Sequence, residues 1–280
     1  KGEQVFVLGG FNKRRLATST FQVYDIKKDC WRTRAPLPQE RHHITMAHTN
    51  QLIYAFGGYS GDRFDWKIKK NVFVYNIGLD QWTQLQDMPQ AQAEHTTVKI
   101  DNKIFNIGGT DSSFKTTGLV QVFDTNSQQW TEITPMPTSR NSAAAVEWKG
   151  NIIVLGGRQY TPSGHLKNVS SVELYSPSQK TWSKLADLPV ATSGHSAAVF
   201  KNKIYVFGGE FFKNRKFEGG VHNEVWVYDI HKDAWLEHSE MKTARHGTGA
   251  VKYKNKILVI GGADQVAFSA TDKNEAFTFF

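Results

Sequence analysis

The sequence predicts an all-β chain wound into a six-bladed β-propeller of four-stranded antiparallel blades, one domain over residues 1–280. Three observations predict it. Gly-Gly pairs close apolar runs at Gly9, Gly57, Gly108, Gly156, Gly208 and Gly261, so the spacings are 48, 51, 48, 52 and 53. An aromatic residue recurs in a short alternating strand at Tyr24, Tyr75, Phe123, Tyr175, Tyr228 and, at the end, Phe279. A tryptophan follows each of the first five by seven residues, at Trp31, Trp82, Trp130, Trp182 and Trp235. A period of this length marks a unit that cannot bury its apolar face alone, so the copies must stack.

Each unit carries four short runs rich in β-branched and aromatic residues; in the fifth they are residues 196–200, 203–207, 224–229 and 234–237. The first run is built from small residues, as in Ala143-Ala144-Ala145, Ala197-Ala198 and Gly247-Thr248-Gly249-Ala250, which suits strands crowded around a central channel. A two-layer sandwich explains neither that crowding nor the fixed period, whereas radial blades explain both and leave few exposed edges. Asp101-Asn102, Lys149-Gly150-Asn151 and Lys254-Asn255 supply tight turns between the first two strands. The Gly-Gly pairs allow close approach of neighbouring blades, and the tryptophans and tyrosines supply surface to pack between them.

From each of the first five aromatics to the next Gly-Gly is 33 residues (24 to 57, and so on to 228 to 261), but from Gly-Gly to the aromatic varies from 15 (9 to 24) to 20 (208 to 228). All length variation therefore sits in one loop per unit, the mark of a rigid scaffold with one variable face. The chain begins in a second strand (4–8) and stops in a third (275–280), so the first and last blades are incomplete. A closed ring needs about 303 positions, roughly 23 more, and we expect the natural protein to supply both missing strands from an N-terminal segment, the alternative being a tolerated gap.

Gly-Gly, aromatic-Asp, Trp, then Met/Leu-Pro and an arginine before the next strand resembles the kelch repeat of the galactose oxidase/kelch superfamily, over essentially the whole chain. The arginine slot holds Arg41, Arg140 and Arg245 but Gln92 and Thr192 in the other two units, and aromatic-Asp becomes Tyr75-Asn76 and Tyr175-Ser176. The resemblance implies that the loop after Gly-Gly and the loop carrying the slot open on one face, where a ligand is held.

Composition narrows the chemistry. Apolar residues at 39% and charged residues at 21% describe a folded globular chain, and no run approaches the length needed to span a bilayer. The start, Lys1-Gly2-Glu3-Gln4, lacks the apolar stretch of a signal peptide. We expect a soluble protein, cytoplasmic or secreted after processing, with no membrane partner. A single cysteine, Cys30, excludes an internal disulfide and a cysteine-rich zinc site. Its place beside the outer-strand Trp31 argues against the tyrosine–cysteine copper centre that a resemblance to galactose oxidase implies. The Glu, Asp and His run of the iron-dependent nitrile-specifier relatives is absent, as are a phosphate loop and a Gly-x-Ser-x-Gly elbow. No cofactor and no metal are expected. The formal charge of +8 favours acidic partners, while the lack of a long basic block or a recognisable motif argues against nucleic acid.

The candidate site follows from the two loop sets. After Gly-Gly come Lys13-Arg14-Arg15, residues 63–70 from Arg63 to Lys70, Arg158 to Lys167, and Lys213 to Lys216. Arginine's planar fork matches a carboxylate, so Arg41, Arg140, Arg158 and Arg245 are binding candidates, with Tyr59, Glu210 and His246 beside them. For the three slot arginines the competing role is scaffold: tying blades through carbonyls and neighbouring carboxylates. His42, His43, His95, His195 and His246 all fall close to the slot. Their origin in different blades argues against a metal site.

Two functions compete. The kelch resemblance implies a recognition module holding an acidic peptide, protein surface or anionic glycan over the channel, and this non-catalytic reading is preferred. The alternative is an isomerase resembling the bacterial sialic-acid mutarotases. There an arginine would hold the sugar carboxylate, and Glu94, Glu210, His95 or His195 would move the proton between the anomeric hydroxyl and the ring oxygen.

Overall fold

The computed structural model describes residues 2–61, 65–213, 218–267 and 269–279. Six antiparallel meanders stand as blades around a central channel, and the innermost strands of consecutive blades touch. The third blade shows the pattern, with Thr96–Ile100 innermost, then Lys103–Ile107, Val120–Asp124 and Trp130–Ile133. Among the described residues the first blade has three strands, Gln4–Leu8, Phe21–Asp25 and Cys30–Thr33, without an innermost one, and the last has Gly249–Tyr253, Lys256–Ile260 and Asn274–Thr278, without an outermost one. No helix of the described residues is long and apolar enough to cross a membrane.

One repeat assignment needs correction. Ile257 lies opposite Phe277, as Ile152 lies opposite Tyr175 and Ile204 opposite Tyr228, so Phe277 and not Phe279 fills the sixth aromatic position. Phe279 points to the same sheet face two residues on. Its ring packs 4.6 Å from both Phe200 and Tyr205. The fifth blade also departs from its expected strand ends: its middle strands run on as Lys203–Phe212 and Gly219–Asp229, extending a hairpin into the variable loop.

The Gly-Gly requirement is steric and polar together. A Cβ on Gly57 would sit 2.2 Å from the carbonyl oxygen of Gln92, and the N–H of Gly58 donates to that same oxygen at 2.9 Å. Both glycines have positive φ, 57° and 81°, which a side chain rarely tolerates. The same contact joins Gly10 to Arg41, Gly109 to Arg140, Gly157 to Thr192 and Gly209 to Arg245, so each slot residue's carbonyl fastens its blade to the one before.

The core is divided into five apolar clusters, each shared by two neighbouring blades. Phe123, fully buried, meets Phe56 and Tyr54 of the previous blade at 6.3 and 5.9 Å. Truncating such a ring costs about 3–5 kcal/mol. The tryptophans do more than fill space. Trp82, Trp182 and Trp235 donate from Nε1 to the carbonyls of Ala35, Thr134 and Ala186, at 2.9, 3.0 and 2.9 Å, which ties each outermost strand to the preceding blade.

Candidate functional site

The two loop sets meet on one face. In five blades the residue after Gly-Gly forms a two-way bridge with the residue after the slot: Tyr59 with His42, Thr110 with Ala93, Arg158 with Asn141, Glu210 with Ser193, and Ala263 with His246. One position further on, His43, Glu94, Ser142, Gly194 and Gly247 are all left-handed, with φ of 50°, 55°, 50°, 63° and 62°. That conformation lets each N–H reach the carbonyl of its counterpart in the previous blade. Glu94 donates to His43, Ser142 to Glu94, Gly194 to Ser142 and Gly247 to Gly194, at 3.3, 2.8, 2.8 and 2.6 Å, forming a hoop around the channel mouth. For His43, Glu94 and Ser142 the geometry costs on the order of 1 kcal/mol each, and it aims their side chains into the opening.

At the centre Arg158 lies between two carboxylates. Its NH2 donates to Glu94 Oε1 and its NH1 to Glu210 Oε1, both at 2.6 Å, while Nε donates to Asn141 Oδ1 at 3.2 Å. Glu94 Oε2 accepts from the Tyr59 hydroxyl, the Thr110 hydroxyl and Asn141 Nδ2, at 3.1, 2.8 and 2.9 Å. Glu210 Oε2 accepts from the Ala267 N–H at 2.9 Å. Histidines flank the pair of carboxylates, with His43 Nε2 3.8 Å from Glu94 Oε1 and His246 Nδ1 3.5 Å from Glu210 Oε1. Arg158, Glu94 and Glu210 are 7%, 6% and 2% exposed, so the charges are paired because burial leaves them no other solvation.

Burial alone would raise the Glu94 pKa, but the Arg158 guanidinium, helped by His43 and the hydrogen bonds, outweighs it and holds the group at about 2. Burial opposes the Arg158 charge too, and Glu94 and Glu210 overcome it, so its pKa is raised. Burial, then Glu94, raises Tyr59, keeping its hydroxyl a donor. His43 and His246 are lowered, chiefly by burial, against the pull of Glu94 and Glu210 respectively. With neutral histidines the centre therefore carries one positive and two negative charges, net −1. The centre is thus not an opening lined by free arginine; cations lie on the rim instead, at exposed Lys13, Arg14 and Arg15 of the first blade, and at exposed Lys67, paired with Asp65 at 3.1 Å, and half-buried Lys69 of the second.

Beside the centre lies an aromatic shelf. His42 stacks on Phe11 and Tyr59 at 4.3 and 5.1 Å, Trp66 closes on His42 at 4.5 Å, and half-exposed Phe114 lies parallel to Tyr59 at 6.3 Å. His42 Nδ1 and His43 Nδ1 share a hydrogen bond of 2.7 Å. Burial, then His43, lowers His42 to about 2, so the shelf stays uncharged.

The structure brings Tyr59, Glu94, Arg158, Glu210 and His246 together at this centre. It does not bring Arg41, Arg140 or Arg245 there. All three are fully buried and their forks are spent inside their own blades. Arg140 donates to the carbonyl and hydroxyl of Ser171 and, at 2.7 Å, to Glu173; Arg245 donates to the carbonyls of Gly261 and Lys273 and, at 2.9 Å, to Glu275. Arg41 donates to the Glu40 carbonyl, Gln39 and Asn71. This is the geometry of the scaffold role. His95 and His195 lie below the mouth, between blades, where burial lowers them to about 3 and about 4; His95 Nε2 meets the Thr45 hydroxyl at 2.7 Å. Among the described residues neither imidazole forms a hydrogen bond or ion pair with Glu94 or Glu210. Arg63, Arg215 and Lys216 fall outside the described residues. Sequence reasoning did not single out Thr110 and Asn141, although the first follows Gly-Gly and the second follows the slot, and those repeat positions mark both. Among the described residues no group of three His, Cys, Asp or Glu side chains is placed to hold a metal ion.

Similarity to known proteins agrees with this architecture. The chain is 29% identical over 275 residues to Kelch-like protein terF of Aspergillus terreus, covering 93% of this chain and 59% of that protein. It is 29% identical over 263 residues to alpha-scruin of Limulus polyphemus, covering 92% and 28%, and 27% identical over 251 residues to Kelch-like protein 36 of Bos taurus, covering 89% and 32%. The chain thus spans between 28% and 59% of the length of these relatives. Among solved structures, that of YjhT superposes with a TM-score of 0.86 at 18% identity, over 100% of this chain and 93% of that one. The profile of the Attractin/LZTR1 β-propeller family matches residues 5–270. Repeat, blade and profile coincide, and the chain belongs to the Attractin/LZTR1 β-propeller family.

Proposed function

We propose that this chain is a recognition module that holds an acidic ligand, a peptide, protein surface or anionic glycan, on the face where the variable loops converge. One observation carries the reading: the cations of the first two blades, Lys13, Arg14, Arg15, Lys67 and Lys69, border a shelf whose solvent side is made by Phe11, Trp66 and Phe114, packed over the buried rings of His42 and Tyr59. A ligand's charge meets the rim while its apolar part lies on the rings. The kelch-type relatives support a binding role. Arg158 contributes order and not free charge, because both of its outer nitrogens are already satisfied.

Titration with a sulfated oligosaccharide and with an octaglutamate peptide tests this. The triple variant Lys13→Asn, Arg14→Asn, Arg15→Asn should weaken binding to the rim at least about tenfold while leaving the melting temperature unchanged. Failure of the protein to bind either probe would end the reading.

The sugar-isomerase reading has its own support in His43, a third of whose side chain meets solvent beside Glu94. A neutral imidazole there can pass a proton between two sugar oxygens, in place of the buried His95 and His195. An NMR time course of N-acetylneuraminate anomers tests it: no acceleration at high protein concentration rules the chemistry out, and acceleration lost in His43→Gln supports it.

A further inference from the structure

The face opposite the mouth is electrically divided. It is made of the hairpins joining the first and second strands and the turns joining the third and fourth. Across blades one to three these carry Glu3, Asp25, Asp29, Asp80, Asp101 and Asp124 against Lys27, Lys28, Lys99 and Lys103, net −2. Across blades four to six they carry Lys149, Lys180, Lys201, Lys203, Lys232, Lys252, Lys254 and Lys256 against Glu147, Asp229 and Asp233, net +5.

The basic half has a repeated construction. The innermost strand of each of the last three blades ends in an aromatic residue followed by lysine: Trp148-Lys149, Phe200-Lys201 and Tyr253-Lys254. Each of those lysines is exposed and left-handed, with φ of 48°, 55° and 52°. Each lies over the ring before it, 4.9, 5.6 and 5.2 Å from its centre, and Lys252 lies 5.5 Å over Phe200. A ring under an ammonium group holds it in place without neutralising it. Among the described residues, Lys149, Lys201, Lys252, Lys254 and Lys256 form no ion pair, whereas Lys27, Lys67, Lys70 and Lys184 each have a carboxylate within 4.0 Å. The carboxylates close to the basic half are used locally: Glu147 accepts from the Gly150 N–H, Asp233 from the Ala186 N–H and the Tyr228 hydroxyl, and Glu3, across the seam from Lys254, pairs with Lys27 at 2.7 Å and accepts from the Tyr253 hydroxyl at 3.2 Å.

We propose that this arc of lysines is a second docking surface, separate from the mouth, for a short Asp/Glu-rich segment of a partner protein. The chemistry favours that occupant over other polyanions. Single-stranded nucleic acid needs open ring faces for its bases, but Phe200 is buried and all three rings carry a lysine. The surface also lacks the arginine fork that phosphate favours. A flat anionic membrane would press on the acidic half as well as on the basic one.

A fluorescent octaglutamate peptide, read by anisotropy and located by acetylation footprinting of lysines, tests the assignment. Protection of Lys149, Lys201 and Lys254 is expected, together with at least about tenfold weaker binding to this face in Lys149→Asn, Lys201→Asn, Lys254→Asn. Asparagine keeps the turn, since it accepts the left-handed conformation that Asp101 adopts at this position in blade three. The mouth triple variant should leave that protection intact. Protection confined to Lys13, Lys67, Lys69 and Lys70 overturns the second surface and leaves the mouth reading standing. No binding of the peptide overturns it too, with the mouth still testable by the oligosaccharide. Protection of the arc by a thymidine oligonucleotide or by phosphatidylserine vesicles at lower concentration than by the peptide overturns the assignment to a protein segment.

Discussion

Arg140 and Arg158 stand eighteen positions apart, both buried toward the mouth of the fourth blade, and they serve different ends. Arg140 occupies a position that recurs: Arg245 repeats its contacts with Glu275, and Gln92 makes a neutral version of them with the Gly108 carbonyl at 2.7 Å and Gln121 at 2.7 Å. Its fork never leaves its own blade. Arg158 occupies the position after Gly-Gly, where the six blades hold Phe11, Tyr59, Thr110, Arg158, Glu210 and Ala263, no two alike. Its bonds cross to Glu94 of the third blade and Glu210 of the fifth. In a repeat protein, what recurs builds the ring and what differs from copy to copy faces the ligand.

The largest effect that could break this contrast is at Arg158. Arg158→Met leaves two buried carboxylates without a counter-charge and should cost about 3–5 kcal/mol in urea unfolding. Arg158→Lys should recover only part, because a point charge cannot serve both oxygens in the same plane. An unchanged unfolding midpoint in Arg158→Met would show that the centre is not an electrostatic tie.

Arg140 should behave differently, because blade three already shows how to do without the charge. Arg140→Gln alone strands Glu173 and should cost about 2–3 kcal/mol. Adding Glu173→Gln recreates the Gln92–Gln121 pair and should return about 1 kcal/mol or more, read from a double-mutant cycle. The double variant Arg140→Ala, Arg245→Ala should lower the melting temperature sharply, since it removes two blade ties. Loss of ligand binding at unchanged melting temperature would return those arginines to the binding site.

Titration separates the buried histidines from the central carboxylate by pH. His42, His43, His95, His195 and His246 are all lowered from 6.5, burial being the main cause in each. The unfolded chain therefore takes up protons first, and stability should fall as pH drops below about 6.5. Glu94, at about 2 in the fold against 4.5 ordinarily, contributes stability above pH 4.5 that is lost as pH falls toward 2. Urea titrations across pH 7 to 2 should show both segments, and Glu94→Gln should flatten the lower one while steepening the upper one, because His43 loses the carboxylate that favours its charged form.

The repeat made the ring and the blade count legible, because spacing carries them, and the kelch resemblance implied the shared face of the two loop sets. Tyr59, Arg158 and Glu210 were legible as positions for the same reason. The use made of each arginine was not, since composition gives a guanidinium no address: Arg140 and Arg158 look alike until Glu173 is found beside one and two carboxylates beside the other. The sixth aromatic was misplaced because Phe277 and Phe279 share a face and no tryptophan follows to fix the frame; only pairing with Ile257 decides.

The smallest effect concerns three variable loops that share one turn. Residues 12–16, 111–115 and 161–165 each begin with a side-chain oxygen, from Asn12, Asp111 or Thr161, that accepts backbone N–H bonds, and each places its fourth residue left-handed. In the fourth blade that residue is Gly164; in the first and third it is Arg15 and Phe114, with φ of 62° and 58°. Arg15→Gly should stabilise the protein by a few tenths to about 1 kcal/mol, as it relieves the conformation and removes no contact of its side chain with the core. Phe114→Gly relieves the same conformation but removes the ring lying on Tyr59, worth about 0.5–1.5 kcal/mol, so its net change should be near zero or destabilising. Equal gains in melting temperature from the two would mean that Phe114 makes no contact worth its backbone conformation, and the shelf would end at Tyr59.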